Sequence, residues 1–327
     1  MSPHRESPQY DRRRHVPERM MDLLLAAVLL VGSIVGLWLG AEWLISGAAA
    51  LARRFGVSEL VIGLTVVAFG TGLPEAVVTL DAVATGHTDL AVGNVVGSNI
   101  VNIAVVLGVV ALIRALPVSR SLVRRDGVAL VATTVIVAGA AVDGVVSRME
   151  GGVLLFLWVV YLWSLFRNHG SGMREETTEQ GVGLRAAGKL AVGLVVIVAS
   201  GALLVDAATT VARAFGISEW TIGATVVAIG TSTPELVVSV LAVTRGRAGL
   251  SLGNVVGSNI VNLFGVLGLA AVLAPLSVTS AALDGLWWLL VLVVVFVVTL
   301  WTGRRLSRAE GGALLGSEVV RWILGFG

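Results

Sequence analysis

Two apolar stretches of the sequence each end in a glutamate that follows a threonine by four residues. The first reads AFGTGLPE and ends at Glu75, and the second reads AIGTSTPE and ends at Glu235. Residues four apart share a face of an α-helix, so Thr71 should lie beside Glu75 and Thr231 beside Glu235. Carboxylate, hydroxyl and carbonyl oxygens are the ligands that hard cations such as Ca2+ prefer.

A proline stands directly before each of these glutamates. Pro74 has no N–H to donate to the carbonyl of Gly70, and Pro234 has none for Gly230. Glycines beside the prolines loosen the helix further, which predicts unwound backbone with free carbonyl oxygens. Such backbone is tolerated at membrane depth only where it lines a cavity or is buried in protein.

A second block, GNVVGSNIVN, occurs at 93–102 and again at 253–262. Each copy places a serine and an asparagine four residues apart, which puts neutral oxygen ligands on one face of a helix: Ser98 and Asn102 in the first copy, Ser258 and Asn262 in the second. For Asn94 and Asn254 the pattern leaves open a helix cap or a supporting role behind the ligands. Asn99 and Asn259 lie off that face, which favours a packing role.

The composition indicates a protein embedded in lipid. The 327 residues are 56% hydrophobic and only 13% charged, with a mean hydropathy of +0.92, whereas soluble domains carry roughly 25% charged residues. There are no cysteines, so disulfides and thiolate metal sites are excluded. The basic residues sit in short gaps between apolar runs, as in membrane proteins, and do not indicate nucleic acid as a partner.

A membrane-spanning helix needs about 20 apolar residues. The sequence predicts ten such spans, which we number in order: 22–51, 58–85, 90–113, 126–143, 151–167, 189–214, 218–245, 250–275, 284–302 and 311–326. The last is the weakest, because Glu318 and Arg321 interrupt it. They are three residues apart, so they are expected to pair with each other.

The distribution of Lys and Arg predicts the orientation. The gaps after odd-numbered spans carry 15 of these residues, and the gaps after even-numbered spans carry 2. The gaps after odd-numbered spans are therefore expected to be cytoplasmic. This places the N-terminus outside a multi-pass protein of the cell's inner membrane, although five arginines among the first 20 residues argue the other way.

The sequence repeats itself at an offset of 160 residues. Over 59–110 and 219–270, 30 of 52 positions are identical. Each repeat holds five spans, and because five is odd the second repeat must enter the membrane from the opposite side. We therefore predict an all-α integral membrane protein of ten transmembrane helices in two inverted-topology repeats. The boundaries are a disordered tail at 1–21, repeats at 22–167 and 189–327, and a cytoplasmic linker at 168–188.

Inverted repeats are typical of secondary transporters, whose binding site lies near the bilayer midplane between the repeats. Glu75 and Glu235 fall within spans 2 and 7, where an unpaired carboxylate costs several kcal/mol. No Lys or Arg lies mid-span to neutralise them, so the countercharge must be a bound cation or a proton. Two protonated glutamates hydrogen-bonded in the core are the structural alternative.

These motifs resemble the two α-repeats of the calcium/cation antiporter superfamily, and specifically its sodium/calcium exchanger branch. The signature G-T-S-x-P-E followed by G-N-x-x-G-S-N-x-x-N is present twice, and the resemblance covers all ten spans. It implies that spans 2, 3, 7 and 8 carry the ligands and that spans 1 and 6 slide as a gate. The implied cation ligands are the carbonyls of Ala68 and Ala228 and the side chains of Thr71, Glu75, Ser98, Asn102, Thr231, Ser232, Glu235, Ser258 and Asn262.

The resemblance implies a transporter and not an enzyme, with no cofactor. The expected partners are the lipid bilayer and the transported ions, Ca2+ and Na+ or H+, with no obligate protein partner. One residue departs from the signature: Gly72 stands where it has serine, so one neutral ligand is lost and H+ remains an alternative counter-ion. Thr71 and Thr231 stand where the proton/calcium branch typically has asparagine, which favours Na+. A channel is disfavoured by the inverted repeat, and a scaffold would leave the two glutamates unexplained.

Overall fold

The computed structural model describes residues 16–167, 180–217 and 228–324 of the chain. In the first repeat, span 1 is the helix Val16–Phe55 and span 5 is Arg148–Arg167. Span 2 consists of Glu59–Ile62, the π-helical turn Gly63–Val67, Ala68–Thr71 and Leu73–Ala84, and span 3 consists of Thr88–Val101, the π-helical turn Asn102–Val106 and Leu107–Ile113. Span 4 consists of the π-helical turn Leu122–Gly127 and the helix Val128–Ala141. In the second repeat, spans 6, 9 and 10 are the single helices Gln180–Ala214, Ser280–Gly303 and Arg308–Leu324. The described part of span 7 consists of Ala228–Thr231 and Thr233–Thr244, and span 8 consists of Ala248–Ile260, the π-helical turn Val261–Val266 and Leu267–Leu273.

The protein is an all-helical membrane protein with five helical spans in each repeat. Among the residues that the structure describes, six helices are long and apolar enough to cross a membrane, namely spans 1, 3, 5, 6, 8 and 9. Span 2 is a seventh candidate, formed by two helices joined at a bend. The helices of spans 4, 7 and 10 lie where the sequence predicts spans, although the first part of span 7 lies outside the described residues.

Two helices extend beyond the apolar runs that predicted them. Span 1 begins at Val16, inside the segment 1–21 that was expected to be disordered, and span 6 begins at Gln180, inside the expected linker. A helix satisfies its own backbone hydrogen bonds, so it need not stop where the apolar run stops. Proline, which stands at position 17, is favoured in a first turn because an N–H there has no helical partner anyway.

Span 2 bends by 45° at Gly72, between the helices Glu59–Thr71 and Leu73–Ala84. Pro74 lies in the first turn of the second helix, where its missing N–H costs nothing. The proline therefore begins a new helix, and the unwound stretch that the sequence predicted is only one residue long.

Span 7 breaks at the equivalent residue, Ser232, which lies between Ala228–Thr231 and Thr233–Thr244. Its backbone angles, φ −85° and ψ 3°, are close to the φ −78° and ψ 3° of Gly72. The two repeats thus interrupt the helix at equivalent residues with the same backbone conformation, one a glycine and the other a serine.

Four two-residue strands join the repeats to each other. Strand β1 (Leu116–Pro117) pairs antiparallel with β4 (Arg305–Leu306), and β2 (Val145–Val146) pairs antiparallel with β3 (Leu276–Ser277). Strands β1 and β4 follow spans 3 and 9, whereas β2 and β3 follow spans 4 and 8. Each pair therefore joins turns that the inverted topology places on the same face of the membrane, and the two pairs lie on opposite faces.

Beside these strands, the start of span 5 packs closely against span 8 of the other repeat. Ser147 and Glu150 form a capping box at the start of span 5, with the Ser147 N–H donating to Glu150 Oε2 at 2.8 Å. One position after that glutamate, a Cβ placed on Gly151 would lie 2.8 Å from the carbonyl oxygen of Gly268 in span 8. Span 10 meets span 3 in the same way, since a Cβ on Gly311 would lie 2.9 Å from the Gly108 carbonyl oxygen.

Span 6 lies against both bends. A Cβ placed on Gly70 would meet the side chain of Leu194, and one on Gly230 would meet Val205. Leu194 and Val205 both belong to span 6, which also packs along span 1 over much of its length. One long helix of the second repeat therefore covers the broken part of span 2 as well as that of span 7.

Candidate cation-binding site

The two mid-span glutamates begin helices. Glu75 lies in the first turn of Leu73–Ala84, and Glu235 lies in the first turn of Thr233–Thr244. Both side chains are fully buried. The N-terminus of a helix carries partial positive charge, so each carboxylate is partly stabilised by the helix that it begins. This placement follows from the interruptions of the helices at Gly72 and Ser232, where the sequence indicated only that the helix would be loosened.

Each glutamate is contacted by residues of the other repeat or of a neighbouring span. The Ser232 hydroxyl donates to Glu75 Oε1 at 3.2 Å. The Ser258 hydroxyl lies 3.4 Å from both Glu235 Oε1 and the carbonyl oxygen of Ala68. The two halves of the chain therefore share one polar centre, as the inverted repeat predicts.

The oxygens of this centre are only partly satisfied by the protein. Within the described part of the chain, Oε2 of Glu75, Oε2 of Glu235 and the hydroxyl of Ser98 have no hydrogen-bond partner. The same holds for both polar side-chain atoms of Asn102 and of Asn262. Buried polar atoms are rarely left without partners, and a dehydrated cation is a partner that carboxylate, amide and hydroxyl oxygens suit.

The two asparagines lie at π-helical turns. Asn102 begins the turn of span 3, and Asn262 lies within the turn of span 8. Such turns occur frequently at functional sites, since they widen the helix and free backbone groups. Asn262 reaches the bend of span 2, because a Cβ placed on Gly72 would lie 3.4 Å from its Oδ1 and 3.9 Å from Glu235 Oε1.

The predicted carbonyl ligand of Ala68 is not a free carbonyl. Its oxygen accepts the N–H of Gly72 at 3.1 Å, because the helix Ala68–Thr71 continues up to Gly72. A carbonyl oxygen has a second lone pair, and this one points towards Ser258. Ala228 begins the described part of span 7.

All nine side chains that the sequence predicted as ligands are buried: Thr71, Glu75, Ser98, Asn102, Thr231, Ser232, Glu235, Ser258 and Asn262. Direct contacts connect Ser232 with Glu75 and Ser258 with Glu235. Ser98 and Asn102 are buried in span 3, but no hydrogen bond of theirs ties them to the glutamates.

Of the two roles that the sequence left open for Asn94 and Asn254, their contacts fit the supporting role behind the glutamates. The Asn94 amide donates to the Glu75 carbonyl oxygen at 3.1 Å and to Thr79 at 2.9 Å. Asn254 lies equivalently, with its amide 3.0 Å from Ser239 Oγ and 3.4 Å from the Glu235 carbonyl oxygen. Thr79 and Ser239 were missed from the sequence, and their only signal is a hydroxyl four residues after each glutamate.

Asn99 and Asn259 pack as expected. Each donates its amide to the backbone carbonyl four residues earlier in its own helix, Val95 or Val255, at 2.8 Å.

Other charged residues of the spans pair among themselves. Glu318 and Arg321 join at 2.6 Å as the sequence predicted, with a further bond from Trp322. Glu42 of span 1 pairs with Arg245. In the described residues no Lys or Arg forms an ion pair with Glu75 or Glu235. The charge of the two glutamates must therefore be neutralised by something other than a basic side chain of this part of the chain.

One buried carboxylate escaped the sequence reasoning. Asp126, at the start of span 4, accepts two hydrogen bonds from Arg125, at 2.7 and 3.0 Å, and one from Tyr161 at 3.2 Å. Its immediate neighbour in the sequence neutralises it, and the bond from Tyr161 connects spans 4 and 5.

Comparison with known proteins agrees with this geometry. The family described as "Sodium/calcium exchanger protein" matches residues 25–167 and 186–317. The chain is 36% identical to the inner membrane protein YrbG of Escherichia coli, over 92% of this chain and 96% of that protein. It is 31% identical to the sodium/calcium exchanger MaX1 of Methanosarcina acetivorans, over 88% and 94% of the respective chains.

The fold is similar to a solved structure of the sodium-calcium exchanger NCX_Mj soaked with Na+ and Ca2+. The TM-score is 0.83 at 30% sequence identity, and the match covers 91% of this chain and 98% of that one. Matching segments in both repeats, an inverted ten-helix fold and a buried pair of glutamates at helix breaks all agree: the chain is a membrane ion antiporter and belongs to the sodium/calcium exchanger protein family.

Proposed function

We propose that this antiporter exchanges Ca2+ for Na+ across the inner membrane by alternating access. The observation that carries the proposal is the pair of fully buried glutamates, Glu75 and Glu235, held at helix starts among oxygen-bearing side chains. Two carboxylates match the charge of one Ca2+. The proposed ligands are the eleven residues implied by the family signature, with the neutral oxygens completing the coordination that Ca2+ requires.

The buried charges also give a reason for obligatory exchange. A site that holds two bare carboxylates inside the membrane is costly, so the protein cannot readily change its outward or inward access while the site is empty. A cation must neutralise Glu75 and Glu235 in each direction of the cycle. Ca2+ would serve in one direction and Na+ in the other, which couples the two fluxes without any further device.

Spans 1 and 6 are the proposed moving element. They pack along each other, and span 6 lies directly on both bends through Leu194 and Val205. A shift of this helix pair would open the bends to one side of the membrane or the other. The proposed orientation places the N-terminus outside and the 168–188 segment in the cytoplasm, as the Lys and Arg distribution indicates.

A second candidate is H+/Ca2+ exchange. Gly72 favours it, because the bend of span 2 lacks the hydroxyl that Ser232 supplies in span 7. Two protons would neutralise the glutamates as well as Na+ would, and they need no further ligands. The relatives named as sodium/calcium exchangers favour Na+, and we therefore place Na+ first.

Flux into proteoliposomes tests the proposal. Purified protein is reconstituted in vesicles loaded with Na+, and 45Ca2+ uptake is compared under an outward Na+ gradient, an outward H+ gradient and no gradient. We expect the Na+ gradient to drive uptake at constant pH. If the H+ gradient drives uptake and the Na+ gradient does not, the counter-ion is H+ and not Na+. Uptake in neither gradient would refute Ca2+ antiport.

A further inference from the structure

The hydroxyl of Thr71 points across the repeat boundary. Its Oγ1 donates to Asn254 Oδ1 at 3.0 Å, although the residues belong to spans 2 and 8 of opposite repeats. Both side chains are fully buried. The Glu235 carboxylate, which Ser258 contacts, lies near Thr71 on the side of the proposed ion site. The single proton of Thr71 is directed to Asn254, behind that site.

The direction of this proton decides how many carboxylate oxygens of the site stay available to a cation. A hydroxyl binds a cation through a lone pair, so its proton must point away from the ion. If Thr71 donated to Glu235, its proton would point into the site and would occupy a carboxylate oxygen. Donation to Asn254 turns the lone pairs towards the site and leaves that carboxylate to the cation.

The orientation of the Asn254 amide is fixed by its other contacts. Its Nδ2 donates to Ser239 Oγ at 3.0 Å and lies 3.4 Å from the carbonyl oxygen of Glu235. A backbone carbonyl only accepts hydrogen bonds, so the NH2 group must face Glu235, and Oδ1 must face Thr71. A flipped amide would set Oδ1 against the carbonyl oxygen of Glu235, with two acceptors facing each other, so this contact fixes the orientation. Either hydroxyl could donate as well as accept.

We propose that Asn254 is a positioning residue, which orients the Thr71 hydroxyl as an oxygen ligand for the transported cation. This inference rests on the proposed function, since it assumes that a cation binds beside Thr71. It also ties the two repeats together, because span 8 of the second repeat sets the ligand geometry of span 2 in the first.

A double-mutant cycle on cation binding tests the role. Thr71→Val removes the hydroxyl and Asn254→Leu removes its acceptor, each at nearly constant volume. The readout is the half-saturating Ca2+ concentration of purified protein by calorimetry, with a parallel Na+ titration. Each single substitution is expected to raise it about tenfold, the effect of losing one well-placed interaction. The double variant should bind no more weakly than either single variant, because both changes remove the same interaction.

Asn259→Leu is the matched control. Asn259 lies on the same span, is equally buried and donates to the Val255 carbonyl of its own helix. Its effect should multiply with that of Thr71→Val. Should Asn254→Leu fail to fold, Ser239→Ala removes only the acceptor that holds the amide, and its effect should likewise fail to multiply with Thr71→Val.

Asn254→Gln provides a rescue, because it keeps an amide oxygen to accept from Thr71 and an NH2 group to face the Glu235 carbonyl, without adding charge. Its half-saturating concentration should lie closer to that of the wild type than that of Asn254→Leu does. Effects of Thr71 and Asn254 that multiply, or an Asn254→Leu variant that binds like the wild type, would overturn the proposal. Failure of Na+-driven Ca2+ flux in the wild type would refute the proposed function instead, while the coupling would still be read from whichever titration shows binding.

Discussion

The hydroxyl of Ser232 donates a hydrogen bond of 3.2 Å to Oε1 of Glu75, although the two residues belong to opposite repeats. The equivalent position in the first repeat is Gly72, which has no hydroxyl to donate to Glu235. A nearly symmetric pair of bends therefore surrounds the two glutamates unequally. This difference and the burial of the glutamates lead to the predictions below.

Glu75→Gln and Glu235→Gln should each abolish Ca2+ transport while the protein remains folded and inserted in the membrane. Glutamine keeps the size and hydrogen-bonding capacity of the side chain but removes the charge that would neutralise a cation. The measurement is 45Ca2+ uptake into proteoliposomes, with gel filtration to check folding. Asp81→Asn is the control, since Asp81 is an exposed carboxylate on the same span and should transport normally. Near wild-type uptake by either Gln variant would mean that the site is misplaced.

Gly72→Ser should steepen the Na+ dependence of Ca2+ transport. A Cβ placed on Gly72 would lie 3.4 Å from Asn262 Oδ1 and 3.9 Å from Glu235 Oε1, so the added hydroxyl would enter the proposed site. A neutral oxygen should strengthen a monovalent site more than a Ca2+ site, because Ca2+ depends chiefly on the two carboxylates. The measurement is the Hill slope of Ca2+ flux against Na+ at fixed pH.

Gly72→Ala is the matched control, since it adds the carbon without the hydroxyl and should leave the slope unchanged. Ser232→Gly should flatten the slope, and it also removes the hydrogen bond to Glu75. Equal slopes in Gly72→Ser, Ser232→Gly and the wild type would show that this position holds no transported monovalent ion.

The close packing of Gly151 and Gly311 against the other repeat predicts that substituting these glycines lowers stability, whereas substituting an adjacent glycine does not. Gly151→Ala and Gly311→Ala should lower the melting temperature in detergent, because the new Cβ would lie 2.7 Å from Ala271 and Ala111 respectively, and overpacking typically costs about 1–3 kcal/mol. Gly152→Ala is the control for Gly151, since a Cβ there meets nothing within 4 Å. That control should melt at or above the wild-type temperature, as alanine favours helix. Equal melting of the Gly151 and Gly152 variants would contradict the close docking.

Cysteine labelling tests the orientation, and the chain has no native cysteine to interfere. His87→Cys lies in the exposed turn after span 2, and Ala115→Cys lies in the exposed turn after span 3. An impermeant maleimide added to intact cells should label His87→Cys and spare Ala115→Cys until the membrane is opened. The reverse pattern would invert the proposed topology.

The sequence by itself determined the helices and the repeat, and it supplied the residues of the proposed site. Hydropathy is a local property, so apolar runs located all ten spans, and the offset of 160 residues established the inversion. Pro74 and Pro234 located the bends for the same reason, because a missing N–H acts on its own helix. Helical spacing also predicted that Thr71 and Glu75 share a face, but the helix breaks between them at Gly72. The sequence predicted a longer stretch of unwound backbone than the structure has, because the missing N–H alone does not show that a new helix begins at each proline.

Only the tertiary structure decided which side chains meet. Thr71 and Asn254 lie 183 residues apart, and Ser232 and Glu75 lie 157 apart, so no periodicity connects them. Helical spacing specifies the face on which a residue lies, whereas the partner depends on how two helices cross. Asn254 had the same sequence signal as Asn94, and its contact with Thr71 arises because Gly253 and Gly257 bring span 8 against the backbone of span 2. The close approach of two helix backbones fixes the site's geometry, and that approach is a property of the folded chain.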